Sequence, residues 1–183
     1  MDKPTVLVFA GPNGSGKSTL MSGQPIVGIY VNADDIKMHR RCSDLEAAQE
    51  AELIRESLLH SLMSFTFETV LSTERNLILL ERAKEKGYKI ESVFVLTADA
   101  ELNVERVKAR VLRGGHDVPV DKIRSRYTKS LQMLKKLVGL SDICVVVDNT
   151  KIPEIIYKKD ENGEVFLCND FWEEPDVRAL LDK

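Results

Sequence analysis

Apolar runs alternate with helix-periodic stretches along most of this chain. Thr5–Ala10 (TVLVFA) is continuously apolar, starts on a β-branched residue and stops at a glycine. A run of that kind fits a strand buried on both faces, as in a parallel sheet. Four more runs follow at residues 26–31 (IVGIYV), 65–70, 89–97 (KIESVFVLT) and 143–148 (ICVVVD). The segments between them read as helices. Ser43 and Glu46 have the spacing of a capping box, and Ala51, Ile54, Leu58 and Leu62 recur behind it at helical intervals. Residues 74–86 predict another helix, stopped by Gly87, and residues 100–112 a third. Pro119 suits the first position of a fourth, predicted to run to Val138 with Gly139 beyond its end. Strand–helix alternation of this kind predicts an α/β domain with a mainly parallel sheet and right-handed crossovers. The tail differs: β-prone runs at 155–159 and 164–167 flank Asp160-Glu161-Asn162-Gly163, which predicts a hairpin over about residues 153–169 at one edge of the sheet.

A length of 183 residues favours one domain over two. Three widely spaced cysteines without a CxxC pair argue against a disulfide framework or a zinc site. Cys144, inside an apolar run, reads as a buried thiol. No apolar run approaches the ~18 residues of a membrane span, and the first residues lack the pattern of a signal peptide. A cytoplasmic protein without a membrane partner is the expectation. The formal net charge of −3 gives no sign of nucleic-acid binding, yet residues 106–136 hold ten Lys/Arg against two Asp. A basic segment on an acidic chain suggests an anionic ligand held at one place.

The first run leads into Gly11-Pro12-Asn13-Gly14-Ser15-Gly16-Lys17-Ser18-Thr19, which matches the phosphate-binding pattern GxxxxGK[ST]. Glycines let the loop aim its amides inward, and these amides and the following helix start bind phosphate oxygens. Lys17 is placed to reach the β- and γ-phosphates and Ser18 to ligate Mg²⁺. Kinases, ATPases and GTPases share this cradle, but no NKxD base-reading motif is present, so ATP is the expected nucleotide.

The second run ends in Asn32-Ala33-Asp34-Asp35. Ligands of parallel sheets sit beyond the carboxyl ends of the strands. A carboxylate there can take the proton of an acceptor hydroxyl, and either Asp34 or Asp35 can serve, the other capping a short helix. Glu68, followed by Thr69, ends the third run and points toward the same place, to position the acceptor or a magnesium-bound water. Arg106, Arg110 and Arg113 share one helix side. They precede Gly114-Gly115-His116, and Arg124 and Arg126 follow. Arginines flanking a double glycine suggest a lid, over about residues 106–126, that closes donors over phosphates. Two of the five are expected to do so, and His116 is a candidate for phosphate or acceptor contact. Asn149, in the loop after the fifth run, is placed near the adenine.

With GPNGSGKST, NADDI, FETVLS and RVKARVLRGGHDVPVDKIRSRY on the page, the chain resembles the zeta toxin family of P-loop kinases, in its short bacterial branch, over about residues 4–150. The resemblance implies an adenylate-kinase-like three-layer αβα fold and phosphorylation of a metabolite hydroxyl. The best-known acceptor of the family is UDP-N-acetylglucosamine, and an antitoxin protein usually holds such toxins in check. It further implies that Asp34 is the catalytic aspartate, Glu68 an acceptor contact, and Arg110 and Arg126 the lid arginines, with Arg113 beside them. Val70 stands where a second threonine is common in the short branch. Two other functions fit the cradle: an ATP-gated switch read by a protein partner, which needs no hydroxyl-activating base, and a polynucleotide 5′-hydroxyl kinase. Base stacking in the latter calls for exposed aromatics, and only Tyr127 lies in the basic segment.

Overall fold

The computed structural model describes residues 3–182. One seven-stranded sheet runs through it in the order β2-β3-β1-β4-β5-β6-β7. The strands are β1 (Thr5–Ala10), β2 (Ile29–Val31), β3 (Phe65–Thr69), β4 (Lys89–Leu96), β5 (Ile143–Asp148), β6 (Glu154–Asp160) and β7 (Gly163–Phe166). The first five pair in parallel, and β6 and β7 add an antiparallel edge. The predicted hairpin is thus present. The helices are α1 (Lys17–Met21), α2 (Ala33–Arg40), α3 (Asp44–His60), α4 (Arg75–Glu85), α5 (Ala100–Leu112), α6 (Val120–Gln132), α7 (Leu134–Leu140) and α8 (Glu174–Asp182).

The central strand β1 lies between β3 and β4, and all but its first residue is buried. Its carboxyl end is therefore the switch point of the sheet, where connections leave in opposite directions and ligands bind. Val6, Val8 and Ala10 face the main core, with Phe65, Phe67, Leu59, Leu80, Phe94 and Tyr157 among their partners. A second, smaller core of Val104, Val107, Val118 and Ile123 joins α5 to α6. The capping box forms as expected: Ser43 Oγ accepts from Glu46 N at 3.3 Å, and Glu46 Oε2 accepts from Ser43 N at 2.8 Å.

Four details depart from the sequence expectation. The second strand starts at Ile29, not at residue 26, because Gly28 takes φ +60° against the backbone of Ser64, where a Cβ would lie 1.8 Å from the carbonyl oxygen. Leu62 is not on the buried stripe of α3; the helix stops at His60, and Leu62 turns outward with φ 54°. The expected single helix from Pro119 to Val138 is broken at Met133. The break lets α6 bury Ile123 in the small core while α7 turns Leu134, Leu137 and Val138 into the large one. Gly139 consequently lies inside α7. Finally, α8 had no sequence expectation; it buries Val177 and Leu180 and carries Pro175 in its first turn, where a missing N–H costs nothing.

Candidate active site

An open cleft of about 870 Å³ lies beyond the carboxyl end of β1. The phosphate loop lines it with Asn13, Gly14, Gly16, Lys17, Ser18 and Thr19, and the start of α2 with Asp34. Glu68, Thr69 and Val70 come from the end of β3, Arg106, Arg110 and Arg113 from α5 and its end, and Asn149 from the loop after β5.

The loop is held from three sides. Gly11 N donates to Thr69 O at 3.2 Å. Asn149 donates through Nδ2 to Ser15 O at 2.7 Å, so it braces the loop as well as lining the cleft. Arg126 Nη1 donates to Asn13 Oδ1 at 3.3 Å, which brings α6 over the loop. Gly11 and Ser15 are buried beneath the cleft instead of lining it.

Lys17 Nζ donates to Gly11 O at 2.6 Å and to Pro12 O at 3.0 Å. Burial of this ammonium pulls its pKa down to about 8, against the raising influence of the Glu68 carboxylate, and Arg110 lowers it further. A bound phosphate favours the charged ammonium. Above pH 8 the free lysine is increasingly neutral, so binding there takes up a proton, and ATP affinity should fall as pH rises beyond that point. Calorimetric titration at pH 9 in buffers of different ionisation enthalpy should show this uptake in the parent and not in Lys17→Met. An enthalpy independent of buffer would disprove the depressed lysine.

Glu68 is the most densely bonded acid of the cleft. Its Oε2 accepts from Ser18 Oγ at 2.8 Å and its Oε1 from Tyr30 Oη at 2.5 Å. Burial, and then the bond to Glu68, push the Tyr30 phenol well above its ordinary pKa, so it remains a donor. Asn32 caps α2, its Oδ1 accepting from Asp34 N at 2.8 Å. Asp34, in the first turn of the helix, lines the cleft. Both aspartates are exposed, and only Asp34 is among the residues that line the cleft.

Arg110 Nη2 donates to His116 O at 2.7 Å and so ties the glycine turn to α5. The His116 side chain is exposed and outside the cleft lining. Arg124 is spent in a two-pronged pair with Glu101, at 2.6 and 2.8 Å. Arg106 is different. One arm donates to Thr150 O at 3.1 Å, while Nη1 is buried with no partner among the described residues. A buried guanidinium nitrogen without an acceptor is costly, and this one belongs to a cleft residue. The sequence marks Arg106 only as one of a series. Tyr30 and Asn32 carry no role from the sequence, although the Asn before Ala33-Asp34 is a helix-cap signal.

Among the described residues, no group of three or more His, Cys, Asp or Glu is arranged around a metal. The adjacent oxygens of Ser18 and Glu68 are hard donors of the kind Mg²⁺ takes beside substrate phosphates. No helix among those residues is long and apolar enough to cross a membrane.

The family model for the zeta toxin matches residues 40–169. The chain belongs to the zeta toxin family. The match takes in Glu68, the arginine series and Asn149; the phosphate loop and Asp34 precede it. This zeta toxin family member is 32% identical over 127 residues to an uncharacterised protein of Haemophilus influenzae, across 66% of this chain and 91% of the relative. Its fold is like that of a chain in the AvrRxo1-ORF1:-ORF2 structure with ATP, at TM-score 0.75 and 14% identity. That likeness covers 98% of this chain and 63% of the other, so the chain spans less than two thirds of that relative's length. A structure from the PezAT chromosomal toxin-antitoxin system of Streptococcus pneumoniae matches at TM-score 0.58 and 16% identity, over 100% of this chain and 89% of that one. The fold is shared with these structures, and family membership makes the chain a phosphotransferase.

Proposed function

We propose that this protein transfers the γ-phosphate of ATP to a hydroxyl of a small metabolite, with Asp34 as the base. The observation that carries this reading is that Asp34 lines the same cleft as Lys17 and Ser18, across from the arginines of α5. Asp34 takes the hydroxyl proton; the hydroxyl oxygen forms the new bond to phosphorus. The bond to the β,γ-bridging oxygen breaks, and its electron pair stays on ADP. Lys17 meets the β- and γ-phosphates. Arg110 and Arg126 face the charge spread over the transferring group, as positioned donors do in phosphoryl transfer. Arg113 and Asn149 complete the nucleotide side, and Glu68 with Thr69 the acceptor side. Mg²⁺, held by Ser18 beside Glu68 and the phosphates, would neutralise charge on the β- and γ-oxygens. Residues 106–126 act as the lid within a single catalytic domain.

A cleft of about 870 Å³ is at the upper end of small-molecule sites, which run to roughly 1,000 Å³; it accommodates a nucleotide and an acceptor together. UDP-N-acetylglucosamine, the best-known acceptor of the zeta toxin family, is the first acceptor to try. The toxin–antitoxin system among the structural relatives supports an antitoxin as protein partner.

The test is incubation with γ-labelled ATP, Mg²⁺ and a panel of metabolites led by UDP-N-acetylglucosamine, with Asp34→Asn as control. Label on a sugar nucleotide in the parent alone is the expected result. Release of free phosphate only, unchanged in the variant, would overturn the kinase acceptor reading in favour of an ATP-gated switch.

A further inference from the structure

Glu68 has a support that the phosphate loop does not provide. Tyr30 pairs with Thr66 in the parallel ladder of β2 and β3. Side chains alternate along a strand, so Tyr30 shares one sheet face with Thr66 and with Glu68 two residues on. Asn32, two residues after Tyr30, returns toward the same face. The hydrogen bonds follow this parity. Asp34 N donates to Asn32 Oδ1 at 2.8 Å, Asn32 Nδ2 donates to Tyr30 Oη at 2.7 Å, and Tyr30 Oη donates to Glu68 Oε1 at 2.5 Å. A longer bond from Asn32 Nδ2 reaches Glu68 Oε1 directly, at 3.4 Å.

The direction of the chain is fixed at its start. Asp34 N can only donate, so the Asn32 oxygen must face it and the Asn32 NH₂ must face Tyr30. The Asn32 NH₂ can only donate, which leaves the phenol hydrogen for the carboxylate. Every bond therefore runs toward Glu68, and bonds aligned in this way polarise one another. The chain links the first turn of α2, which carries Asp34, to the carboxylate beside Ser18.

We infer that Tyr30 is a positioning residue for phosphoryl transfer, setting Glu68 relative to Asp34 through this one-way chain. The role rests on the kinase reading above. Glu68 has two anchors on different oxygens. Ser18 holds Oε2, and any change in what Ser18 contacts during binding of Mg²⁺ and nucleotide loosens that side. The Lys17 ammonium, which feels the Glu68 charge, then attracts the carboxylate toward the loop. Tyr30 and Asn32 hold Oε1 from β2 and the α2 cap, outside the phosphate loop, so the carboxylate keeps its place while Ser18 changes partners. Tyr30 does not line the cleft, which separates its action from contact with nucleotide or acceptor.

The experiment compares the parent, Tyr30→Phe, Glu68→Gln and the double variant. The readouts are transfer to UDP-N-acetylglucosamine, ATP hydrolysis without acceptor, and KM for ATP. Tyr30→Phe keeps the ring and its packing. It should lower kcat by about 10- to 100-fold, the scale for partners that orient a site from behind, with KM for ATP within about twofold by the same argument. In the Glu68→Gln background the same substitution should cost little more, because the two residues act as one unit. A parent-like kcat in Tyr30→Phe overturns the proposal, and so does a full additional loss in the Glu68→Gln background. A loss expressed only in KM also overturns it. A parent that neither transfers phosphate nor hydrolyses ATP overturns the kinase reading itself, and it does so before any variant is compared.

Discussion

Asp34→Asn should bind ATP as the parent does and transfer phosphate about 10²- to 10⁴-fold more slowly, the range for loss of a positioned general base. The substitution is nearly isosteric, and the bonds that shape this corner are independent of the carboxylate. The α2 cap uses the Asp34 backbone N–H, which asparagine retains. The chain from Asn32 through Tyr30 to Glu68 is likewise untouched. Equilibrium binding of ATP and single-turnover transfer, measured on the same preparation, separate the two effects. Weakened binding alongside slow transfer would show that Asp34 organises the loop. Unchanged transfer would move the base to Asp35, against the position of that residue outside the cleft lining.

A second large effect lies in the backbone of the cradle. Gly11→Ala should destabilise the fold and abolish ATP binding together. Gly11 has φ +138°, and a Cβ there would lie 2.0 Å from Val95 O on the neighbouring strand. Neither side can yield: β1 is flanked by β3 and β4 at the centre of the sheet, and Val95 is fully buried. Backbone strain costs about 1–3 kcal/mol and overpacking about 1–3 kcal/mol. A domain stable by about 5–15 kcal/mol loses a large share of its margin to the two combined. Denaturant unfolding monitored at Trp172, which packs against the main core, reads the loss directly. A midpoint equal to that of the parent would show that β4 gives way where the packing says it does not.

The contrast between these positions shows what the linear sequence exposes. Gly11 and Lys17 belong to a contiguous motif whose mechanism is local, so nine residues suffice to read a phosphate cradle. The strands β1 and β5 were legible because burial leaves nearly unbroken apolar runs, and β4 because its apolar end, Phe94 to Leu96, is fully buried at the sheet centre. Asp34 and Glu68 were legible as acids at the ends of such runs. Tyr30 was not, because its partner lies 38 residues away and the contact exists only once β2 pairs with β3. In the sequence, a tyrosine before Val31 is simply a good strand former. Arg106 was visible as a charge, but its inward arm depends on the Thr150 carbonyl reached across the fold. Met133 breaks a helix whose periodicity looks continuous because two cores compete for adjacent turns. Propensity has no term for that competition.

The small core has a consequence for how tightly nucleotide is held. Val104, Val107, Val118 and Ile123 are all that α5 and α6 bury against each other in that cluster, with Val111 and Val120 at its margin. With so little apolar area, the lid formed by α5 and α6 is expected to open before the sheet unfolds. Part of the binding energy of ATP would then go into closing that lid, because the apparent Kd scales inversely with the closed fraction. Filling that cluster with larger aliphatic side chains would trade product release for affinity, a dial on residence time set by packing and not by the phosphate contacts.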